Sequence, residues 1–533
     1  MVFAKILSRY LFYLSLLLSV PLAISIYYQI FPEFHPQPSS TFAFLATMTI
    51  SSTLAFVLWT IGRNESFAES PSRRESILIV VLIWIITSII SSLPFSLSGT
   101  LRPLEAYFEA MSGLTTTGST MICAKAYDPL TQKEIPIRLT NPHVPDKTYI
   151  YWGTVAPIRD PDTNLILYSG VEAVGKALLF WRSLLQWIGG MGIVVIFLTV
   201  LPALGVGGKL LYQMETTGPI KDGITPRIRE TASHLWKLYT FFTLLEIGLL
   251  VWTNQEMTFF DALCTSLSNI STGGFSVRNE SIASYHSAAT EAIVIVFMII
   301  GSINFALYFH LLRLKFSRVY VPDLFLFLGI AVLGCLAVSS FLIPELGVAQ
   351  AFRQGCFQAL SLQTSTGFFT ANYDRWPFAA QMFMLILMFF GGMSGSTAGG
   401  IKTSRFYIAY KILLHRLESI FRPDSVRKLY IGKNEVDDKN ALTVLSFFCI
   451  VAFFTVLGTM SLVLDGIDPE TSLGLMASLL NNTGLAFRAA GPTESLAFLS
   501  PFSKIFCTFW MLLGRLEFFI VLLLFLPSFW KNK

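Results

Sequence analysis

Thr115-Thr116-Thr117-Gly118, Ser271-Thr272-Gly273-Gly274-Phe275, Thr364-Ser365-Thr366-Gly367-Phe368 and Asn481-Asn482-Thr483-Gly484-Leu485 are four versions of one motif, each with threonine directly before glycine. Each follows a stretch that suits a helix but is too short and too polar to cross a bilayer, which takes about 20 apolar residues. Each also lies between two long apolar runs. The unit is span, short re-entrant helix, Thr-Gly loop, span, and it occurs four times.

Composition agrees with that unit. The chain has 533 residues, of which 53% are hydrophobic and 13% charged, with a mean hydropathy of +0.61. A soluble chain carries about a quarter charged residues. The net charge of +5 is small, and the basic residues lie in loops between apolar runs. That distribution points to membrane orientation and away from nucleic acid. Six scattered cysteines form no CxxC pair, so neither a disulfide framework nor a metal site is indicated. Lys5 and Arg9 precede an apolar run to Tyr28 that lacks a small-residue cleavage site, which predicts a retained helix rather than a signal peptide.

Long apolar runs near 10–30, 42–61, 77–97, 176–201, 235–253, 289–312, 322–343, 377–413, 441–464 and 502–526 predict ten spans. The expected fold is an all-α polytopic membrane protein: four repeats around one pore, preceded by two extra transmembrane helices. The expected units are two leading helices (1–66), then repeats at 67–205, 206–318, 319–436 and 437–533. The first repeat carries a polar, Pro-rich external insertion at 122–172. Short loops rich in Lys and Arg mark the cytoplasmic side. Arg63, Arg73 and Arg74, then Lys209, Lys221, Arg227 and Arg229, then Arg313, Lys315 and Arg318, and the basic segment 402–439 all fall on one side of the ten-span topology. Both termini are expected there.

Irregular backbone is tolerated at membrane depth only where it lines a water-filled cavity or is buried in protein. Glycine permits positive φ and close backbone approach. Four such loops can present a ring of carbonyl oxygens that replaces the hydration shell of a cation. The short helices would aim their partially negative C-termini at the same place. The motifs contain no charged residue, which suits a monovalent ion better than Ca2+ or Mg2+, whose sites favour carboxylates. The candidate ligands are Thr116, Thr117 and Gly118, Ser271, Thr272 and Gly273, Ser365, Thr366 and Gly367, and Asn482, Thr483 and Gly484.

Two further features lie in the spans. The run 377–413 is interrupted at 391–401, where Gly391, Gly392, Gly395, Ser396, Gly399 and Gly400 give a break able to change conformation. Small residues of this kind also serve close helix packing. Arg515 sits mid-span, where a charge costs roughly 3 kcal/mol. Glu517, two residues on, points elsewhere on a helix and is a poor partner for it.

The stretches LTTTGST (114–120), QWIGGMGIVV (186–195), SNISTGGFS (268–276), QTSTGFFT (363–370), GGMSGSTAGGIK (391–402), NNTGLAF (481–487) and GRLE (514–517) resemble the Trk/Ktr/HKT superfamily of cation transporters, most closely its bacterial TrkH branch. The resemblance covers essentially the whole chain and includes the two leading spans. It implies K+ uptake across the inner membrane, with K+ ions in the filter, no covalently bound cofactor and no enzymatic activity. It makes Gly118, Gly273, Gly367 and Gly484 the filter glycines, 391–401 an intramembrane gating loop, and Arg515 a pore arginine. It also implies a homodimer and a cytosolic nucleotide-binding regulatory subunit of the TrkA kind, with 209–229 and 402–439 as docking segments. Glycine at 118, where some Na+-transporting plant relatives carry serine, favours K+. Leu485 and Ala486 depart from the family's usual Pro-Gly after the fourth loop.

Two alternatives remain at this point. One is a Na+ or weakly selective K+/Na+ translocator of the same fold. The other, a membrane enzyme, lacks a DDxxD-like or HExxH cluster, and Asp437-Asp438 reads as a solvated pair. Glu246 is read as a buried hydrogen-bonding group, and His310 and His415 as interfacial residues.

Overall fold

The computed structural model describes residues 2–31, 38–63, 73–128, 130–141, 144–160, 162–163, 165–192, 228–421, 429–431, 434–436 and 438–531. The expected unit boundaries at 66/67 and 205/206, and the docking segment 209–229 up to residue 227, lie outside the described residues.

The protein is an all-α polytopic membrane protein with a few short hairpins. Helices α1 (Val2–Leu17) and α2 (Ser19–Ile30) together make one apolar stretch, and α3 (Thr41–Gly62) packs along α1. Gly62 lets the two backbones approach, since a methyl group there would lie 2.9 Å from the Lys5 amide nitrogen.

The four repeats then follow one plan. Each begins with a continuous span: α4 (Arg73–Leu97), α7 (Ile228–Thr253), α11 (Pro322–Leu346) and α15 (Asp438–Leu464). A short helix comes next: α5 (Pro103–Leu114), α8 (Phe259–Ile270), α12 (Val348–Gln363) and α16 (Pro469–Leu480). Local chemistry starts these helices. Pro103 and Pro469 occupy first-turn positions where no amide donor is needed. Thr258 Oγ1 accepts from the Asp261 amide at 3.1 Å, and Asp468 Oδ1 accepts from Thr471 at 2.9 Å.

The second span of each repeat departs from the expected plain helix. In repeat 2, α9 (Ala288–Ser302) and α10 (Phe305–Leu312) meet at 96°, with Asn304 Oδ1 capping the new helix at Ala306. In repeat 4, α17 (Pro501–Arg515) and α18 (Phe519–Leu522) belong to a pair bent by 115°. In repeat 3, α13 (Phe378–Phe389) and α14 (Thr403–Phe421) are separated by the glycine-rich break. In repeat 1, α6 (Lys176–Gly190) is helical to its Gly189-Gly190 pair, and the rest of the expected 176–201 span lies beyond residue 192, outside the described residues. The ten expected spans therefore resolve, among the described residues, into six long apolar helices, two bent pairs and the shorter apolar helix Phe378–Phe389. Apolar runs alone do not reveal these breaks, because each bend falls on a few residues inside a long apolar run, Ile303-Asn304 in repeat 2 and Glu517-Phe518 in repeat 4.

The insertion folds as three two-stranded antiparallel hairpins: β1 (Ala126–Tyr127) with β2 (Glu134–Ile135), β3 (Ile137–Asn141) with β4 (Val144–Tyr151), and β5 (Ile158–Arg159) with β6 (Ile166–Tyr168). It packs on repeat 4. Tyr149 Oη donates to Asp468 Oδ2 at 2.8 Å and accepts from the Asp468 amide at 2.9 Å. Burial pushes this phenol above its ordinary pKa, so it stays a donor.

Polar contacts join neighbouring repeats. Lys504 at the start of α17 meets Glu105 of α5 at 3.0 Å, and Lys176 of α6 lies 3.8 Å from Asp261 of α8. Arg353 of α12 grips Glu291 of α9 through two bonds of 2.7 and 2.8 Å. Arg488 joins Gln381 of α13, at 2.8 Å, to Glu470 of α16, at 2.6 Å. Each second span is thus tied to the next repeat's short helix or the loop beside it. Lys504 and Glu105 are both nearly buried, so Lys504→Met strands the carboxylate and is expected to lower stability by about 3 kcal/mol. Thermal unfolding in detergent should show the loss, with Lys504→Met/Glu105→Gln recovering most of it.

Candidate functional site: the four-loop ring

The four short helices end at Leu114, Ile270, Gln363 and Leu480, and each chain then turns the same way. Two residues past the helix, φ is positive at Thr116 (53°), Thr272 (53°), Ser365 (52°) and Asn482 (52°). Two residues later it is positive again at Gly118 (86°), Gly274 (75°), Gly367 (82°) and Gly484 (84°). Left-handed φ at a non-glycine residue costs about 1 kcal/mol or more, so these turns are held by their surroundings. In every loop the residue before that glycine donates its amide to a helix serine six residues before the glycine. The bonds are Thr117 to Ser112 O (2.9 Å), Gly273 to Ser268 O (2.8 Å), Thr366 to Ser361 O (2.9 Å) and Thr483 to Ser478 O (2.9 Å).

The loops meet in a closed cycle. A methyl group on Gly118 would lie 2.2 Å from Gly273 O; on Gly274, 2.0 Å from Thr366 O; on Gly367, 2.2 Å from Thr483 O; on Gly484, 2.0 Å from Thr117 O. The cycle runs through repeats 1, 2, 3 and 4 and back to 1, so all four loops surround one axis. Of the expected ligands, Thr116, Thr117, Gly118, Ser271, Thr272, Gly273, Ser365, Thr366, Gly367, Asn482, Thr483 and Gly484 all lie in this cycle or its turns.

One position shifts. Alignment on the Thr-Gly pair equates Gly273 with Gly118, Gly367 and Gly484, whereas φ, hydrogen bonding and ring contact put Gly274 in that place and Gly273 level with Thr117, Thr366 and Thr483. The second loop contains Thr-Gly-Gly, so its first glycine stands where the others have threonine. The serine six residues before the ring glycine carries the true register in the sequence.

Buried side chains brace the ring, and three of them, Glu109, Arg182 and Gln186, are not singled out from the sequence. Glu109, fully buried on α5, accepts from Thr120 Oγ1, from the Met121 amide at 2.8 Å, and from Arg182 Nε at 2.8 Å. Arg182 also donates to Ser276 O at 3.2 Å and lies 4.0 Å over the Phe275 ring, joining loops 1 and 2. Gln186 donates to Gly273 O at 2.5 Å and accepts from the Phe275 amide at 3.0 Å. Asn482 donates to Thr117 Oγ1 at 2.9 Å, linking loops 4 and 1. Such buried polar side chains are invisible as a set until the helices are packed.

The glycine-rich break lies against the inner ends of these loops. Its ends are joined by the Gly391 amide to Ile401 O at 3.0 Å. Thr397 donates through Oγ1 to Ile270 O at 3.0 Å, and the Gly399 amide donates to Ser365 Oγ at 2.6 Å. A methyl group on Gly399 would lie 2.3 Å from Asn481 O. The segment also lines the bend of repeat 2, where the Met393 amide donates to Ser302 O at 2.9 Å and Phe305 to Gly395 O at 3.3 Å. Gly395 (78°) and Gly400 (71°) supply its left-handed turns. Gly392 and Ser396 complete it, with a methyl on Gly392 falling 2.8 Å from Ser396 Oγ. Lys402 Nζ donates back to Ala398 O.

Arg515 fills the remaining side. Its guanidinium donates to Thr116 Oγ1 (3.0 Å), Thr397 O (3.0 Å), Gly189 O (2.5 Å) and Gly190 O (2.9 Å). It therefore bridges loop 1, the end of α6 and the glycine-rich break. Glu517 turns away to pair with Arg405 at 2.5 Å. Glu246, buried in α7, accepts from Asn269 Nδ2 at 2.6 Å near the end of α8.

Comparison with known proteins gives the family and the fold. The TrkH family, described as cation transport protein, matches residues 161–532. The Trk system potassium uptake protein TrkH of Halomonas elongata is 34% identical over 472 residues, 86% of each chain. The Trk system potassium uptake protein TrkG of Escherichia coli is 31% identical over 526 residues, 97% of this chain and 96% of that one. The crystal structure of the potassium transporter TrkH from Vibrio parahaemolyticus superposes with a TM-score of 0.78, covering 99% of both chains at 28% identity. The match of the family profile over most of the chain, together with identities of 34% and 31% over 86% and 97% of it, makes this protein a member of the TrkH family of cation transport proteins.

Proposed function

We propose that the chain is the pore subunit of a bacterial inner-membrane K+ uptake system, conducting K+ along the axis of the four-loop ring. The observation that carries this reading is the cyclic contact of each ring glycine with the next loop's carbonyl oxygen. That arrangement holds four equivalent carbonyls at one level around an axis, with Thr116, Thr117, Thr272, Gly273, Thr366, Gly367, Thr483 and Gly484 among the K+ ligands. A fixed ring of carbonyls exchanges for the water around a desolvated monovalent cation. Influx follows the membrane potential, which supplies about 2.3 kcal/mol per charge per 100 mV.

The break at 391–401 acts as the gate. Its contacts beneath loops 2, 3 and 4, and its bond to Arg515 beneath loop 1, support a closed pathway. Arg515 adds a positive charge at the inner end of the ring, which shortens the dwell of K+ there. The subunit works as a homodimer, each copy with its own pore, on a cytosolic nucleotide-binding partner like TrkA. The relatives' description as Trk system proteins supports a multi-component assembly. The basic segment 402–439, with 209–229, is the docking region, which puts both termini in the cytoplasm. No enzymatic step enters this reading.

Growth of a K+-uptake-deficient bacterium on low-K+ medium, with and without a regulatory subunit, tests the reading. Rescue by Na+ instead would favour the Na+ or weakly selective alternative. Gly118→Ser, whose Cβ would meet Gly273 O at 2.2 Å, should cut K+ flux sharply and lower the K+/Na+ ratio of the remaining flux roughly tenfold, about 1.4 kcal/mol, measured in proteoliposomes; full flux at an unchanged ratio removes the ring from selectivity. Gly274→Ala should abolish K+ flux while Gly273→Ala keeps much of it. The first sets a methyl against backbone at 2.0 Å at positive φ, the second only against the Gln186 side chain. Arg515→Gln should raise K+ flux several-fold by removing the barrier charge.

A further inference from the structure

The bend of repeat 4 carries a second attachment to the gate. α14 leaves the glycine-rich break at Thr403 and begins the basic cytoplasmic segment. In its first turn Arg405 donates through Nη2 to Glu517 Oε2 at 2.5 Å, with side-chain exposures of 6% and 19%. The same guanidinium lies 3.8 Å over the ring of Phe447 on α15, and Phe447 packs edge-on against Phe518 at 5.5 Å. Thr403, two residues earlier, donates to Asp323 at the start of α11.

Glu517 is not an ordinary helical residue. It and Phe518 are consecutive non-glycine residues with left-handed φ, 57° and 53°, and they form the elbow between Arg515 and Phe519. Such backbone persists only where surrounding contacts hold it. Among the contacts that hold it are the Arg405 ion pair, the Phe447 and Phe454 rings against Phe518 at 5.5 and 6.0 Å, and the Phe518 amide bonded to Leu513 O at 3.0 Å. Two residues before Glu517, Arg515 binds Thr397 O of the break. The elbow is therefore gripped from both ends of one gating element: Arg515 holds the loop, and Arg405 of the following helix holds Glu517.

Resting on the gate reading above, we propose that Arg405 and Glu517 are positioning residues that couple α14 to the elbow, so that α14 and Arg515 move together. Displacement of α14 pulls Glu517 through the ion pair, unwinds the left-handed elbow, and withdraws the Arg515 guanidinium from Thr116 and Gly189. Blocking loop and blocking charge then leave the axis in one step. With the pair intact and α14 at rest, the elbow keeps Arg515 in place.

The test compares wild type, Arg405→Gln, Glu517→Gln, the double variant and the charge-swapped Arg405→Glu/Glu517→Arg in proteoliposomes holding this subunit alone. Unstimulated K+ efflux, the K+/Na+ ratio and the thermal midpoint are read for each. Each single variant should raise unstimulated efflux about tenfold, a one-decade shift in the closed-to-open population. The double should leak no more than either single, the swap should return toward wild type, and the K+/Na+ ratio should hold. Glu517→Asp, which keeps the charge and shortens the reach, replaces any single variant that does not purify and should leak in the same direction. Single variants that leak like wild type, or effects that multiply in the double, overturn the coupling. So does a lowered thermal midpoint with no rise in leak, which is what a merely structural pair would give. Absence of K+ flux from every sample, wild type included, would instead remove the transport reading itself.

Discussion

The molecule is organised by one steric constraint: each ring glycine sits so close to a carbonyl of the next loop that no side chain fits between them. A ring of backbone at membrane depth cannot draw on water for its hydrogen bonds, so its geometry must be set by covalent conformation and by buried neighbours. Left-handed turns supply the first. Helix serines, Gln186, Asn482 and the Arg182–Glu109 pair supply the second. The short helices, the continuous first spans and the ion pairs between repeats serve to bring four turns to one axis and hold them there.

Regularity ends below that ring. The first span of every repeat is continuous, while the second is bent, split or halted at a Gly-Gly pair among the described residues. The interruptions adjoin one another, where Arg515 donates to Gly189 O and Thr397 O, and Thr397 donates to Gly301 O. Continuous helices there would bring only side chains to the axis. Broken ones bring carbonyls and the Arg515 guanidinium, and they allow one segment to change without unravelling its neighbours.

Much of this was legible in the chain itself. Four Thr-Gly loops between apolar runs disclose the repeat, and Gly391 to Gly400 disclose the break, because seven of those ten residues are glycine or serine that interrupt a run too long for one plain helix. The register of loop 2 was not, since Thr272-Gly273 imitates the pair seen elsewhere while Gly274 does its work; the spacing from Ser268 resolves it. The bends at Asn304 and Glu517 escape a reading of hydropathy, which registers how apolar a run is and not its direction. The bracing by Glu109, Arg182 and Gln186 depends on residues up to 94 positions apart meeting in the packed bundle, which no local pattern encodes. Four of the insertion's six strands are two or three residues long, too short to leave a strand signature.

The insertion's place has a consequence for how the ring is closed. Repeats 1 to 2, 2 to 3 and 3 to 4 are joined by the chain, but 4 to 1 is a seam with no peptide link across it. It is here that Tyr149 clasps Asp468, the Leu496 amide reaches Thr120 O at 2.9 Å, and Lys504 meets Glu105. A pore assembled from four separate subunits would have four such seams and symmetric fastenings. A single chain has one, and the extra hairpins of its first repeat act as the buckle.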